Sequence, residues 1–346
     1  MKTRACAMLL LATAVLVAGD AQPLLPHQGT VVISATDVRL NVWILEETME
    51  GVKHTLGDKQ ESGETRIARG KYLRVDYSDP NEAAWLKGAR ANNLGKFEDA
   101  ATLFIEASTT SRSWHAREDA FMRAAQCWLK AGKPDQAIVA LDGLKAAFPK
   151  HVRQTDALYM YGQAQAKKGD AAAAQKTYND LAKRNDLGAD AMVLGSLGQA
   201  ELLAADKKPG DAVAILAPVF AKLDPGQDAK WFGNVGSQLA QQQSAAGQAD
   251  PAIATVRRLA YGVGDPTIRA RAHLDWAQLL LNAGNTKSLF LAFDHAAIAS
   301  AVRDADSTVT EQGGNLTRKL SGLIDKLPAD QCSDAEKAEY RRYLTR

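Results

Sequence analysis

Hydrophobic positions along the chain change period near residue 80. Upstream they alternate: Val38, Leu40, Val42 and Ile44 interleave with Arg39, Asn41, Trp43 and Leu45. The runs GVKHTL (51–56), TRIA (65–68) and YLRVDY (72–77) continue the alternation, with turn stretches such as LGDKQESGE between them. A period of two sends successive side chains to opposite faces of a strand, one of them into a core. Four or five short antiparallel strands over residues 28–80 follow, forming a module small enough to need docking on the next helices. Asp79-Pro80 marks its end, because proline disfavours helix in the residue before it.

From residue 81 the apolar spacing becomes helical, and it recurs. Gly88, Gly95, Ala100, Phe104 and Ala107 set the pattern; Ala125, Gly132, Ala137, Leu141 and Leu144 repeat it, with Pro149 after them. Gly132 lies 37 residues after Gly95, and Gly169 lies 37 after Gly132. Further copies are Gly162-Gly169-Ala174-Tyr178-Leu181, Ala240-Gly247-Ala252-Val256-Leu259 and Ala277-Gly284-Leu289-Phe293-Ala296. Between them Ala200, Ala212, Leu216 and Val219 make another, with Lys207 where the turn glycine would stand. Each copy predicts a helical hairpin. A small residue midway along the first helix meets an early alanine of the second, so the axes approach closely. The glycine supplies the left-handed conformation that ends the first helix, and the bulky residues after the alanine share one face.

This spacing resembles that of the tetratricopeptide repeat superfamily over residues 81–300, six repeats in all. The resemblance implies a mainly α protein, a tetratricopeptide-like α-solenoid of helical hairpins; the short strands upstream suggest a small SH3-like or Sm-like β module before it. The combination with an N-terminal export pattern is also similar in arrangement to exported repeat proteins of planctomycete-type bacteria. In the superfamily the first helix of each hairpin lines a concave groove. The residue after each mid-helix small residue then points inward: Ala89, Gln126, Gln163, Glu201, Gln241 and Gln278. One turn earlier come Trp85, Met122, Tyr159, Leu197, Ser237 and Leu274. A ladder of amides beside an apolar row suits an extended peptide, since each amide both donates and accepts. Trp85, Met122 and Tyr159 are its expected anchors. The alternative is that the glutamines bond within or between helices and only solubilise the surface. Glu82, Asp119, Asp156 and Glu201 lie on or beside the groove with only Arg123 and Arg271 as cations, which disfavours a carboxylate clamp.

A formal charge of +2 across 346 residues argues against nucleic acid, which needs a concentrated basic face. The opening MKTRACAMLLLATAVLVAGDAQ places Lys2 and Arg4 before an apolar run, and Gly19 and Ala21 at positions a signal peptidase reads. Residues 1–21 are thus expected to be a secretory signal, too short for a membrane span, directing the chain to the periplasm or envelope of a Gram-negative-type bacterium. An uncleaved anchor is the other reading. Cys127 and Cys332 would remain, and both are expected unpaired, with Cys127 buried as a small hydrophobe.

No HExxH, GxSxG, phosphate-binding GxxxxGK[ST] or paired CxxC occurs. The six histidines are scattered: His273 is expected to be packed or at the surface, and Asp294-His295 to be solvated. No catalytic residue, metal or cofactor is expected. At the C-terminus, Gln312-Gly313-Gly314-Asn315 is expected to break the helical pattern. Leu316, Leu320, Leu323, Ile324 and Leu327 then form an amphipathic stripe, and Ser333 with Glu336 is a capping-box signature. Residues 301–346 are expected to cap the array. The chain so read is an exported, non-catalytic scaffold for a protein or extended peptide. A self-assembling, homo-oligomeric envelope spacer is the alternative, and an enzyme with a composite site a further one.

Overall fold

A computed structural model describes residues 24–33, 39–56, 63–78, 80 and 82–343. The signal segment expected at 1–21 lies outside the described residues. Two compact units divide the chain at Gln154 and Thr155.

In the first unit, strands β1 (His27–Ile33), β2 (Arg39–Thr48), β3 (Gly51–Thr55), β4 (Thr65–Ala68) and β5 (Tyr72–Tyr77) form one antiparallel sheet. Its order is β4-β3-β2-β1-β5. The expected SH3-like or Sm-like barrel is corrected: the sheet is open, because β1 takes both β2 and β5, and no pairing among the described residues joins β4 to β5. Val31, Val42, Ile44, Val52 and Tyr72 form the buried face and pack with Trp114. The Trp114 indole N–H donates to the Ile44 carbonyl at 2.8 Å. Docking on the helices, as expected for so small a sheet, thus runs through this buried aromatic together with the Tyr77–His115 stack and the His27–Ser113 hydrogen bond.

That tryptophan opens the second hairpin. The helices here are α1 (Ala83–Asn93), α2 (Phe97–Thr110), α3 (Trp114–Lys130) and α4 (Pro134–Ala147). Gly95 and Gly132 adopt φ of 72° and 71° between the paired helices. A Cβ on Gly88 would stand 3.0 Å from the Phe104 ring, which is why a small residue is needed there.

The second unit continues with α5 (Gln154–Lys168), α6 (Ala171–Ala182), α7 (Ala189–Ala205), α8 (Pro209–Lys222), α9 (Ala229–Ala245), α10 (Ala249–Gly262), α11 (Pro266–Ala283) and α12 (Thr286–Ala301). Tyr178 of α6 is buried between Gly162 of α5 and Gly198 of α7; a Cβ on either glycine would fall within 2.4 Å of its ring. Lys207 takes φ of 59°, the left-handed conformation of the glycines it replaces.

The last helices are α13 (Ser307–Ile324) and α14 (Asp334–Tyr343). The expected break at Gln312–Asn315 does not occur, and α13 runs through it. Gly313 is present for proximity: a Cβ there would lie 2.8 Å from the Ser300 backbone nitrogen of α12. The stripe of Leu320 and Ile324 packs on Phe293 and Ala296, with Leu316, Leu323 and Leu327 at its margins. Ser333 and Glu336 form the reciprocal cap read from sequence, at 2.7 and 3.4 Å. The two tail helices therefore cover the α11–α12 core. Cys127 and Cys332 are both free and buried.

Candidate binding cleft

The expected groove residues meet different fates in the two units. In the first, Trp85 is only 5% exposed and Met122 is fully buried. The Trp85 indole donates to Asp119 Oδ2 at 2.9 Å, its ring lies edge-on to Phe104, and the Arg123 guanidinium sits 4.9 Å above it. Burial pushes the Asp119 carboxyl up, but Arg123, Arg153 and the Trp85 N–H together hold it below its usual range. Trp85 and Met122 are therefore packing residues and present no anchoring surface, a correction to the sequence reading. The cause is geometric: their helix face meets the neighbouring helix, where burial of large apolar side chains is most favourable. Gln126 remains exposed.

In the second unit the first helices do enclose a cleft, of about 530 Å³. Leu194 and Leu197 of α7, Trp231 of α9, Ile268 of α11 and Val309 of α13 give it an apolar wall. Asn234, Ser237, Gln238 and Gln241 of α9 and Arg271 and Asp275 of α11 contribute polar groups to the lining. Gly233 leaves room for Ile268, which a Cβ would meet at 3.1 Å.

Tyr159 lines one end, and its hydroxyl donates to Glu201 Oε1 at 2.6 Å. Gln238 Nε2 donates to the same oxygen at 3.2 Å. Burial, then the Glu201 charge, raise the Tyr159 hydroxyl well above its ordinary value, so it stays a donor. Ser237 donates to Asp275 Oδ2. Burial raises the Asp275 carboxyl, while Ser237 and Arg271 act against that rise. Arg271 itself donates to Gln312 Oε1 at 2.9 Å.

The glutamine ladder is thus divided. Gln241 is exposed and faces the cleft. Gln163 is half-buried, and Gln278 Nε2 donates to Asn282 of its own helix at 3.0 Å. The sequence reading missed Trp231, Asn234, Gln238 and Asp275. A signal was available for two of them: Gln238 and Asp275 each follow a row residue, Ser237 and Leu274, by one position.

Elsewhere, His295 is half-buried and not solvated as expected. It stacks on Trp276 at 3.9 Å, and its Nδ1 lies 3.1 Å from His273 Nδ1. Asp294 is exposed. Among the described residues no group of three or more His, Cys, Asp or Glu side chains is placed to hold a metal ion. No helix among them is long and apolar enough to cross a membrane.

A family model of the tetratricopeptide repeat matches residues 119–151 and 156–186, covering most of α3–α4 and α5–α6. Residues 119–151 and 156–186 therefore carry tetratricopeptide repeats. Among solved structures the chain is similar to a tetratricopeptide repeat protein from Parabacteroides merdae, at 15% identity over 68% of this chain and 83% of that one, TM-score 0.45. It is also similar to a thermophilic repeat protein of Thermus thermophilus, at 21% identity over 57% and 97%, TM-score 0.39. No curated protein matches the chain. In repeat terms, the cleft is formed by the first helices of consecutive hairpins.

Proposed function

We propose that this tetratricopeptide repeat protein is an exported, non-catalytic scaffold that holds an extended segment of a protein partner in the α7–α9–α11 cleft. Export rests on the Lys2, Arg4 and apolar pattern of residues 1–21. The observation that carries the binding reading is the cleft's mixed apolar and polar lining. Leu194, Leu197, Trp231 and Ile268 offer apolar contact area alongside hydroxyl and amide groups of Ser237, Gln238 and Gln241. An extended backbone can exchange hydrogen bonds with the amides while alternate side chains rest on the apolar wall.

The test is selection of a random dodecapeptide library on the full chain, against an Asn234→Arg/Gln241→Arg variant. Both positions are exposed, so the variant should retain its helicity by circular dichroism while its long side chains fill the cleft. Peptides retained by the unaltered chain and lost by the variant support the reading. Equal retention by both overturns it.

A further inference from the structure

We infer that the cleft selects a cationic side chain, a lysine or arginine of the bound segment, through Glu201; this rests on the peptide reading above. Glu201 lies on α7, one turn after Leu197 and two after Leu194, both of which line the cleft, so it stands beside the cleft on the same helix face. Its Oε1 receives two hydrogen bonds, from Tyr159 on α5 at 2.6 Å and from Gln238 on α9 at 3.2 Å. Both donors line the cleft. Two donors on one oxygen fix the plane of the carboxylate and leave Oε2 without a hydrogen bond. No lysine or arginine among the described residues is ion-paired with Glu201.

The other charges of the site are already engaged. Asp275 is held by Ser237 and lies within the field of Arg271. Asp190 accepts the Trp231 indole N–H at 2.7 Å. Arg271 is turned onto Gln312. Glu201 differs from the exposed Asp190 in being half-buried, with its plane fixed by donors from two other helices, and is the carboxylate set to meet a ligand. A cation placed there forms a charge-assisted hydrogen bond, and the methylene stem of a lysine or arginine can lie along Leu197 and Leu194. A carboxylate ligand would instead meet Glu201 and Asp275, and Arg271, the cation in the cleft lining, is turned onto Gln312. Charge complementarity thus favours a basic-apolar segment over an acidic one.

The experiment compares library selection on the full chain with selection on Glu201→Gln. The amide keeps an oxygen for Tyr159 and Gln238 and removes the charge. Peptides retained by the unaltered chain should be enriched in lysine and arginine. Replacing the basic residue of a retained peptide by norleucine should weaken binding about tenfold or more, as expected for hydrogen bonds to charged groups. Glu201→Gln should bind the two peptides equally. Retention without basic enrichment, or the same lysine preference in Glu201→Gln, overturns the role of Glu201 while leaving the cleft reading intact. If the unaltered chain retains no peptide, the cleft reading fails and this inference with it.

Discussion

At the scale of single residues, Lys207 is the informative departure. Five of the six hairpin turns carry glycine at positive φ, and the fourth carries lysine at 59°. A non-glycine residue there costs about 1–2 kcal/mol, while glycine's extra freedom in the unfolded chain offsets about 0.4–1 kcal/mol. The conformational cost is the larger, so Lys207→Gly should stabilise the second unit by about 0.5–1 kcal/mol, read as a raised urea midpoint. A lowered midpoint would show that the lysine side chain contributes more than its backbone costs. The turn position was legible despite the missing glycine because KPGDAVAIL repeats the spacing of KPDQAIVAL.

The His273–His295 pair makes a second prediction at this scale. Burial and the charge of His273 hold His295 down to about 4, and burial lowers His273 too. In the unfolded chain both titrate near 6.5. Between those values the unfolded chain binds protons that the native pair refuses. Stability is therefore full above about 6.5 and falls as the pH drops toward 4. Asp275 and Asp294, raised by burial, act in the opposite sense only nearer the carboxylate range. Urea midpoints measured across this window should fall less for His273→Gln/His295→Gln than for the unaltered chain. Identical slopes would contradict the assignment.

At the scale of elements, glycine had two meanings that sequence alone did not separate. Gly95 and Gly132 end helices, whereas Gly313 sits inside one because α12 passes against it. The adjacent pair Gly313-Gly314 looks like a breaker, and only the neighbouring helix shows otherwise. The two residues give a paired test. Gly313→Ala places a Cβ 2.8 Å from backbone that cannot yield without separating α12 from α13, and should cost about 1–3 kcal/mol. Gly314→Ala meets its nearest atom at 3.9 Å and should stabilise by about 0.5–1 kcal/mol through helix propensity alone. Equal effects in thermal unfolding would contradict the close approach.

The sheet shows a different limit. Alternation told which strand positions face inward, and Val42 and Ile44 are buried as the pattern requires. It carried no information on which strands pair, and so an open five-stranded sheet was read as a barrel. Strand order depends on contacts distant in sequence, such as β1 with β5, that no local period encodes.

At the scale of the molecule, the hairpin architecture was legible because each hairpin repeats one local rule. Small residues, turn glycines and apolar faces recur with the helical period. The proposed cleft was legible only in part. Tyr159, Glu201 and Gln241 fall at or beside the cleft, while Trp85 and Met122 entered the core of the first unit. The difference lies in how deeply neighbouring helices pack, which equivalent positions in different repeats need not share.

The central claim is that a peptide segment lies between α7, α9 and α11. Its most direct test is fluorescence anisotropy of one selected, labelled peptide titrated with the unaltered chain and with Asn234→Arg/Gln241→Arg. Saturable binding by the first and its loss in a variant of unchanged helicity is the predicted result. Binding of equal strength by both proteins would place the peptide elsewhere and contradict the account.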